Sequence, residues 1–370
     1  INLVKRYEDR KGHKPITSYE LRITDNNDKS IAEFEIPYDP FDYNRRQTYE
    51  VDKIGFHHVP VVMLTADINV AISSEALNGI SYKYSKALDK WGIGDSATDF
   101  LYLGETDLPY ALPGTLKKIF SYKHWASLVN KSDSFPIFEI NEYLGAVEKS
   151  NRINFLFLEL DDINDEVINA VSNDLHCVII LRTDNKHAMA EMRRAFIELM
   201  DNNVKAPVII YRKYENLSEE ELMLYSATDL GGLLLDGLGD GIWLEASQHS
   251  INTINRCSFG ILQATRTRIS KAEYIACPSC GRTQFDLQET TAMIRKRTDH
   301  LKGVKIAIMG CIVNGPGEMA DADYGFVGSG PGWVTLYRGK EVIERGIPFE
   351  NALDKLVELM KEDGNWVEKN

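Results

Sequence analysis

Short apolar runs rich in β-branched residues recur along the chain from about residue 59, and this rhythm restricts the fold more than any other feature. They occupy residues 59–64, 100–103, 153–158, 177–181, 208–211, 233–235 and 242–244. Several are separated by segments of helical period. Residues 186–200 place Met189, Met192, Ala195, Phe196 and Leu199 on one face, and residues 218–225 open with a capping box, Ser218 to Glu221. Strands alternating with helices predict parallel β/α units. Seven or so such units predict an α/β fold, a TIM-barrel-like (β/α)8 domain, with an open doubly wound sheet as the alternative. The first 58 residues are harder to read: strand candidates at 19–24 and 32–36 flank Asp25-Asn26-Asn27-Asp28.

A helix over 251–268 closes this region and sets the expected boundary, a barrel-like domain at 1–268 and a smaller α+β domain at 269–370. The second domain reads as a cysteine loop, a helix (286–300), a strand (304–309), a glycine-rich loop, strands at 324–327 and 334–337, and an amphipathic helix (349–361) turning Leu353, Leu356, Val357 and Met360 inward.

Lys and Arg total 42 against 55 Asp and Glu, a formal net charge of −13. That balance repels a phosphate backbone and argues against nucleic-acid partners. No apolar run reaches the ~18 residues of a membrane span. Ile1 opens directly into Lys5-Arg6-Tyr7-Glu8-Asp9-Arg10-Lys11 without an initiator methionine, so the chain is expected to be cut from a longer polypeptide and to carry no signal peptide.

Five cysteines leave an odd thiol and argue against a disulfide scaffold. Cys177 sits in a strand-like run and Cys257 on a helix, and both read as small buried hydrophobes. That leaves Cys277, Cys280 and Cys311, each at the mouth of a loop, in a reducing compartment. Cys277-Pro278-Ser279-Cys280 lets two thiolates reach one site. Cys311 ends an apolar strand, and Glu318 follows seven residues later, after Asn314-Gly315-Pro316-Gly317. Structural zinc takes four protein ligands. The nearest histidine, His300, lies at the far end of a strand of about 20 Å, which leaves zinc only three sulfurs and Glu318. A four-iron cluster fits this donor set better: three thiolates leave one iron open for an oxygen ligand or substrate, with Glu318 as its cap. Zinc, or no metal, remains the alternative.

Other motifs have plainer readings. Asp236-Gly237-Leu238-Gly239-Asp240-Gly241 lacks the Rossmann glycine spacing and reads as a strand-to-strand turn. Glu159, Asp161 and Asp162 read as an exposed charged loop, His57-His58 as a solvated or hydrogen-bonded pair, and Gly325, Gly328, Gly330 and Gly332 as punctuation of a tight turn.

Cys277-Pro278-Ser279-Cys280-Gly281-Arg282 together with Ile308-Met309-Gly310-Cys311-Ile312-Val313-Asn314-Gly315-Pro316-Gly317-Glu318 closely resembles the 4-hydroxy-3-methylbut-2-enyl diphosphate synthase family. Ala320-Asp321-Ala322-Asp323-Tyr324-Gly325 extends the likeness, which runs from about residue 250 to the C-terminus. The upstream region more loosely resembles the barrel-like insert of the family's large three-domain form. The resemblance implies a reductive ring opening in the methylerythritol phosphate route to isoprenoids. In it, 2-C-methyl-D-erythritol 2,4-cyclodiphosphate becomes (E)-4-hydroxy-3-methylbut-2-enyl diphosphate with loss of water and uptake of two electrons.

It further implies a 4Fe-4S cluster on Cys277, Cys280 and Cys311. Glu318 would be the fourth ligand at rest and then the proton donor, and Asn314 would hydrogen-bond the substrate. Ferredoxin or flavodoxin would be the electron donor. The cluster domain would be of sulfite/nitrite-reductase-like type, and the location bacterial cytoplasm or plastid stroma. The family's N-terminal barrel, which holds the diphosphate with basic residues, has no counterpart here. The chain is therefore expected to be the C-terminal part of that polypeptide, inactive without the N-terminal barrel, with the insert serving a structural purpose. A zinc-stabilised interaction module and another iron–sulfur reductase are the competing classes.

Overall fold

The computed structural model describes residues 36–39, 41–66, 74–313 and 315–368. The strand candidates at 19–24 and 32–36 lie outside these residues, Ile36 excepted. The chain divides into two compact units, Ile1–Arg268 and Ile269–Asn370.

In the first unit, eight described strands close into a parallel barrel: β1 (Val61–Thr65), β4 (Phe100–Gly104), β5 (Lys117–Ser121), β6 (Ser134–Phe138), β7 (Asn154–Leu158), β8 (Cys177–Leu181), β9 (Val208–Lys213) and β10 (Gly241–Glu245). A hairpin of β2 (Tyr82–Ser85) and β3 (Lys90–Ile93) intervenes between β1 and β4. The barrel order is β1-β10-β9-β8-β7-β6-β5-β4, and β4 pairs back onto β1. These strands read as near-continuous apolar runs because helices cover the outside while side chains fill the inside. Met63, Phe100, Ile119, Phe135, Phe155, Val178, Ile180, Ile209 and Trp243 form the inner cluster. Val62, Leu101, Phe120, Leu156, Ile179, Ile210 and Leu244 join the outer one, with the helices.

Two barrel strands were not predicted, Lys117–Ser121 and Ser134–Phe138. The first opens with two lysines, and the second carries Pro136, which lacks a ladder donor and ordinarily demotes a run. The triplet Leu233–Leu235, read as a strand, is instead the end of the helix Glu219–Leu235. The Gly231-Gly232 pair before it resembles a break, but Gly232 packs so closely on Met189 of the helix Ala188–Asp201 that a Cβ there would meet the sulfur. The Asp236–Gly241 segment accordingly joins a helix to a strand rather than two strands. Its buried Asp240 accepts from Arg45 (2.8 Å) and from the Val208 N–H (3.0 Å), fastening the chain beneath the barrel. Cys177 is fully buried, and Cys257 lies on the helix Ile251–Ala264 with its sulfur 3.2 Å from Ser226 Oγ.

The second unit is a five-stranded sheet in the order β11-β12-β13-β14-β15, comprising β11 (Glu273–Ala276), β12 (Lys305–Met309), β13 (Tyr324–Gly330), β14 (Trp333–Arg338) and β15 (Glu341–Pro348). The first three strands are parallel, and β14 and β15 are antiparallel to their neighbours. Helices Leu287–Thr298 and Phe349–Glu362 pack on it through Ile294, Ala352, Leu356, Leu359 and Met360. Asp286 caps the first helix by accepting from the Glu289 N–H at 2.8 Å. Gly325, Gly328 and Gly330 belong to β13 rather than to a loop, and Gly332, at φ +77°, makes the turn into β14. Among the described residues no helix is long and apolar enough to cross a membrane.

Candidate metal centre

The parallel pairing of β11 with β12 decides where the cysteines emerge. Ala276 stands opposite Ile308, and the ladder continues one step further, with the Cys277 N–H donating to the Ile308 carbonyl at 3.3 Å. Cys277 and Cys311 thus leave the same edge of the sheet, from adjacent strands whose axes lie about 4.8 Å apart. Gly310, between strand end and cysteine, donates its N–H to Cys277 Sγ at 3.3 Å. The two loops are therefore joined through a sulfur, the kind of contact that steadies a thiolate.

Further contacts fix the loops. Ser279 adopts a left-handed conformation, φ +66°, which folds the segment back towards Cys280. The Thr283 N–H donates to the Cys280 carbonyl at 3.0 Å, and Thr283 Oγ1 accepts from the Cys280 N–H at 3.1 Å. The Gln284 N–H reaches across to the Gly310 carbonyl at 2.9 Å. Gly310 has no room for a side chain: a Cβ there would stand 2.6 Å from Thr283 Cγ2. On its other side Gly328 of β13 approaches so closely that a Cβ on it would lie 2.5 Å from the Gly310 oxygen.

Cys277 and Cys311 are half-buried and Cys280 is exposed. Glu318 is exposed at the end of the four-residue helix Gly315–Glu318, whose following residue, Met319, is fully buried. Asn314 lies outside the described residues. The structure thus brings Cys277 against the Cys311 loop, with Cys280 on the same short segment. Among the described residues, however, no three or more His, Cys, Asp or Glu side chains are gathered closely enough to hold a metal ion. The donors suit an iron–sulfur group in kind, being soft thiols at a common sheet edge with a backbone N–H already directed at one sulfur. His300 is occupied elsewhere, its Nε2 being 2.7 Å from the Val367 carbonyl oxygen. Thr283 escaped the sequence reading, and Gly328 was read there as turn punctuation rather than as a packing glycine. The only available signal was a hydroxyl three residues after Cys280 and a glycine on a strand where a side chain is the norm.

In the first unit Glu159 and His58, read from the sequence as an exposed loop and a hydrogen-bonded pair, each have a charged partner. Glu159 pairs with Arg182 at 3.0 Å, and the same guanidinium forms a fork with Glu139 at 2.9 Å. His58 Nε2 is 2.8 Å from Glu50.

Residues 273–362 match a family model described as the GcpE protein C-terminal domain. A 4-hydroxy-3-methylbut-2-en-1-yl diphosphate synthase (flavodoxin) of Parabacteroides distasonis is 38% identical over 365 residues, covering 99% of this chain and 54% of that protein. The synthase of the same name from Porphyromonas gingivalis is 47% identical over 217 residues, 59% of this chain and 37% of that protein. A chloroplastic synthase (ferredoxin) of Arabidopsis thaliana is 53% identical over 177 residues, 48% of this chain and 24% of that protein. The chain spans about half the length of the first curated relatives it matches. Residues 273–362 are therefore similar to the GcpE C-terminal domain, within a chain that resembles 4-hydroxy-3-methylbut-2-en-1-yl diphosphate synthases along almost its whole length.

Proposed function

We propose that this chain is the barrel-plus-cluster half of a 4-hydroxy-3-methylbut-2-en-1-yl diphosphate synthase, with residues 1–268 as a structural insert and 269–370 as the cluster domain. The observation that carries the reading is the junction of two cysteine loops at one sheet edge, where the Gly310 N–H meets Cys277 Sγ at 3.3 Å, in the region that matches the family. Cys277, Cys280, Cys311 and Glu318 would hold a 4Fe-4S cluster. When bound, that cluster would supply single electrons and an open Lewis-acidic iron.

The chain's own residues account for the rest of the chemistry. Glu318, on an exposed helix end, would be the fourth ligand at rest and, once released, would pass a proton to the departing oxygen, which leaves as water. The Cys277–Cys280 segment and the Gly310–Cys311 strand end present their sulfurs from backbone that hydrogen bonds keep in place. Asn314 would donate to or accept from the substrate. The substrate is the cyclic diphosphate named by the resemblance. The part of the site that binds its phosphates would come from an N-terminal barrel of the same polypeptide. The relatives that cover most of this chain carry flavodoxin in their names, which favours flavodoxin over ferredoxin as donor.

Anaerobic reconstitution with iron and sulfide tests this reading. Wild type is expected to bind iron and sulfide in equal amounts and to turn over substrate only with the N-terminal barrel added in trans. Cys311→Ala is expected to lose the cluster. Uptake of zinc with no iron or sulfide would replace the enzyme by a zinc-stabilised module, and turnover by the chain alone would refute the half-site reading.

A further inference from the structure

Among the described residues the Thr283 side chain, like that of Cys277, bears on both cysteine loops. Its Oγ1 accepts from the Cys280 N–H at 3.1 Å and lies 3.2 Å from Ser279 Oγ, so the hydroxyl engages the loop at two points. Its Cγ2 stands 2.6 Å from where a Gly310 Cβ would be, so the same side chain abuts the backbone just before Cys311. Its neighbour Gln284 completes the bridge, with its N–H on the Gly310 carbonyl. A residue pinned on one loop by its hydroxyl and against the other by its methyl fixes their separation.

We propose that Thr283 is a positioning residue that locks the Cys277–Cys280 loop to the Cys311 loop and so sets how the three thiols are presented to an iron–sulfur cluster. The proposal rests on the cluster reading above for its consequence, and on the contacts of Thr283 for its mechanism. By holding the Cys280 N–H on an oxygen, Thr283 also keeps that donor away from the cysteine sulfurs. Hydrogen bonds to sulfur tune the electronic structure of such clusters. Removing the hydroxyl therefore loosens the Cys277–Cys280 loop on Thr283 and changes the electronic surroundings of the thiolates.

The test compares Thr283→Val, Thr283→Ala and Thr283→Ser in the full 370-residue chain. In the metal-free protein, amide hydrogen exchange at Cys280 is expected to accelerate about fivefold in the valine and alanine variants, the loss of one ordinary hydrogen bond, and to stay at the wild-type rate in the serine variant. After anaerobic reconstitution with iron and sulfide, valine and alanine are expected to retain less iron through desalting and to show an altered electron paramagnetic resonance signal on reduction. Serine, which keeps the hydroxyl but loses the methyl against Gly310, is expected to keep the wild-type exchange rate and to retain iron between wild type and alanine. Wild-type exchange together with a wild-type spectrum in the valine variant would overturn the proposal, as would exchange at Cys280 in the serine variant as fast as in valine. Should valine fail to fold, the alanine and serine pair decides by the same readings. If wild type itself takes up no iron and sulfide, the cluster reading falls and with it the consequence for thiol presentation. The exchange comparison still reports on the hydrogen bond by which Thr283 holds the Cys277–Cys280 loop.

Discussion

Replacing Gly328 by alanine puts one methyl group where the second unit has no space. The new Cβ would stand 2.5 Å from the Gly310 oxygen and 3.1 Å from both Gln284 Cβ and Phe285 Cε1. Ordinary contact begins near 3.4 Å, so either β13 or the Gly310 backbone must retreat by about 0.9 Å. β13 is hydrogen-bonded to β12 on one side and β14 on the other, which leaves Gly310 as the part that yields. Its carbonyl then loses the Gln284 N–H, and its N–H moves off Cys277 Sγ. Overpacking of this kind costs ~1–3 kcal/mol. With a hydrogen bond of ~1 kcal/mol lost as well, the total is about 2–4 kcal/mol. For a urea slope of about 2 kcal/mol/M, the unfolding midpoint of this unit falls by about 1–2 M. Amide exchange along β12 and β13 during urea unfolding reads that unit separately from the barrel. Gly330→Ala is the control, because its Cβ would meet only Trp333 Cδ1 at an ordinary 3.8 Å. An unshifted midpoint in Gly328→Ala, or an equal fall in Gly330→Ala, would refute the packing argument.

Three further outcomes are expected. Asp240→Ala leaves the Val208 N–H without its acceptor and strips Arg45 of its carboxylate, the His58 carbonyl remaining to it, and should destabilise the barrel by about 1–3 kcal/mol in a urea melt, with the second unit unaffected. Burial pushes the Cys177 thiol up to about 12, so alkylation of the native chain at pH 8 should label Cys280 and spare Cys177, as peptide mapping would show. The same elevation ties stability to alkaline pH. The unfolded thiol ionises from about 9 while the native one keeps its proton to about 12, so the barrel loses stability as pH rises through that window, by up to ~1.4 kcal/mol per pH unit from this group. Cys177→Ala should flatten that slope in melts taken between pH 9 and pH 11.

The barrel was legible wherever a strand is buried on both faces, as at Cys177–Leu181, where five consecutive positions are buried and apolar. It was illegible at Lys117–Ser121 and Ser134–Phe138, because lysines and a proline occupy positions that only closure of the sheet turns into strand. The second unit's two long helices were readable from their apolar period, to within about two residues at their ends. The strand Glu341–Pro348 was not, being an exposed edge whose polar residues have no apolar face to announce it.

What the residues determine unaided is local. The period of apolar positions specifies strand or helix, and the cysteine spacing specifies a pair of soft donors on one short loop and a third donor at a strand end. Tertiary structure decides what depends on residues far apart in the chain. It set Gly232 as a helix-packing glycine rather than a break, brought Ala276 opposite Ile308 so that two cysteine loops share a sheet edge, and laid Gly328 against Gly310. Such meetings follow from register and close packing across the sheet, and no run of neighbouring residues encodes them.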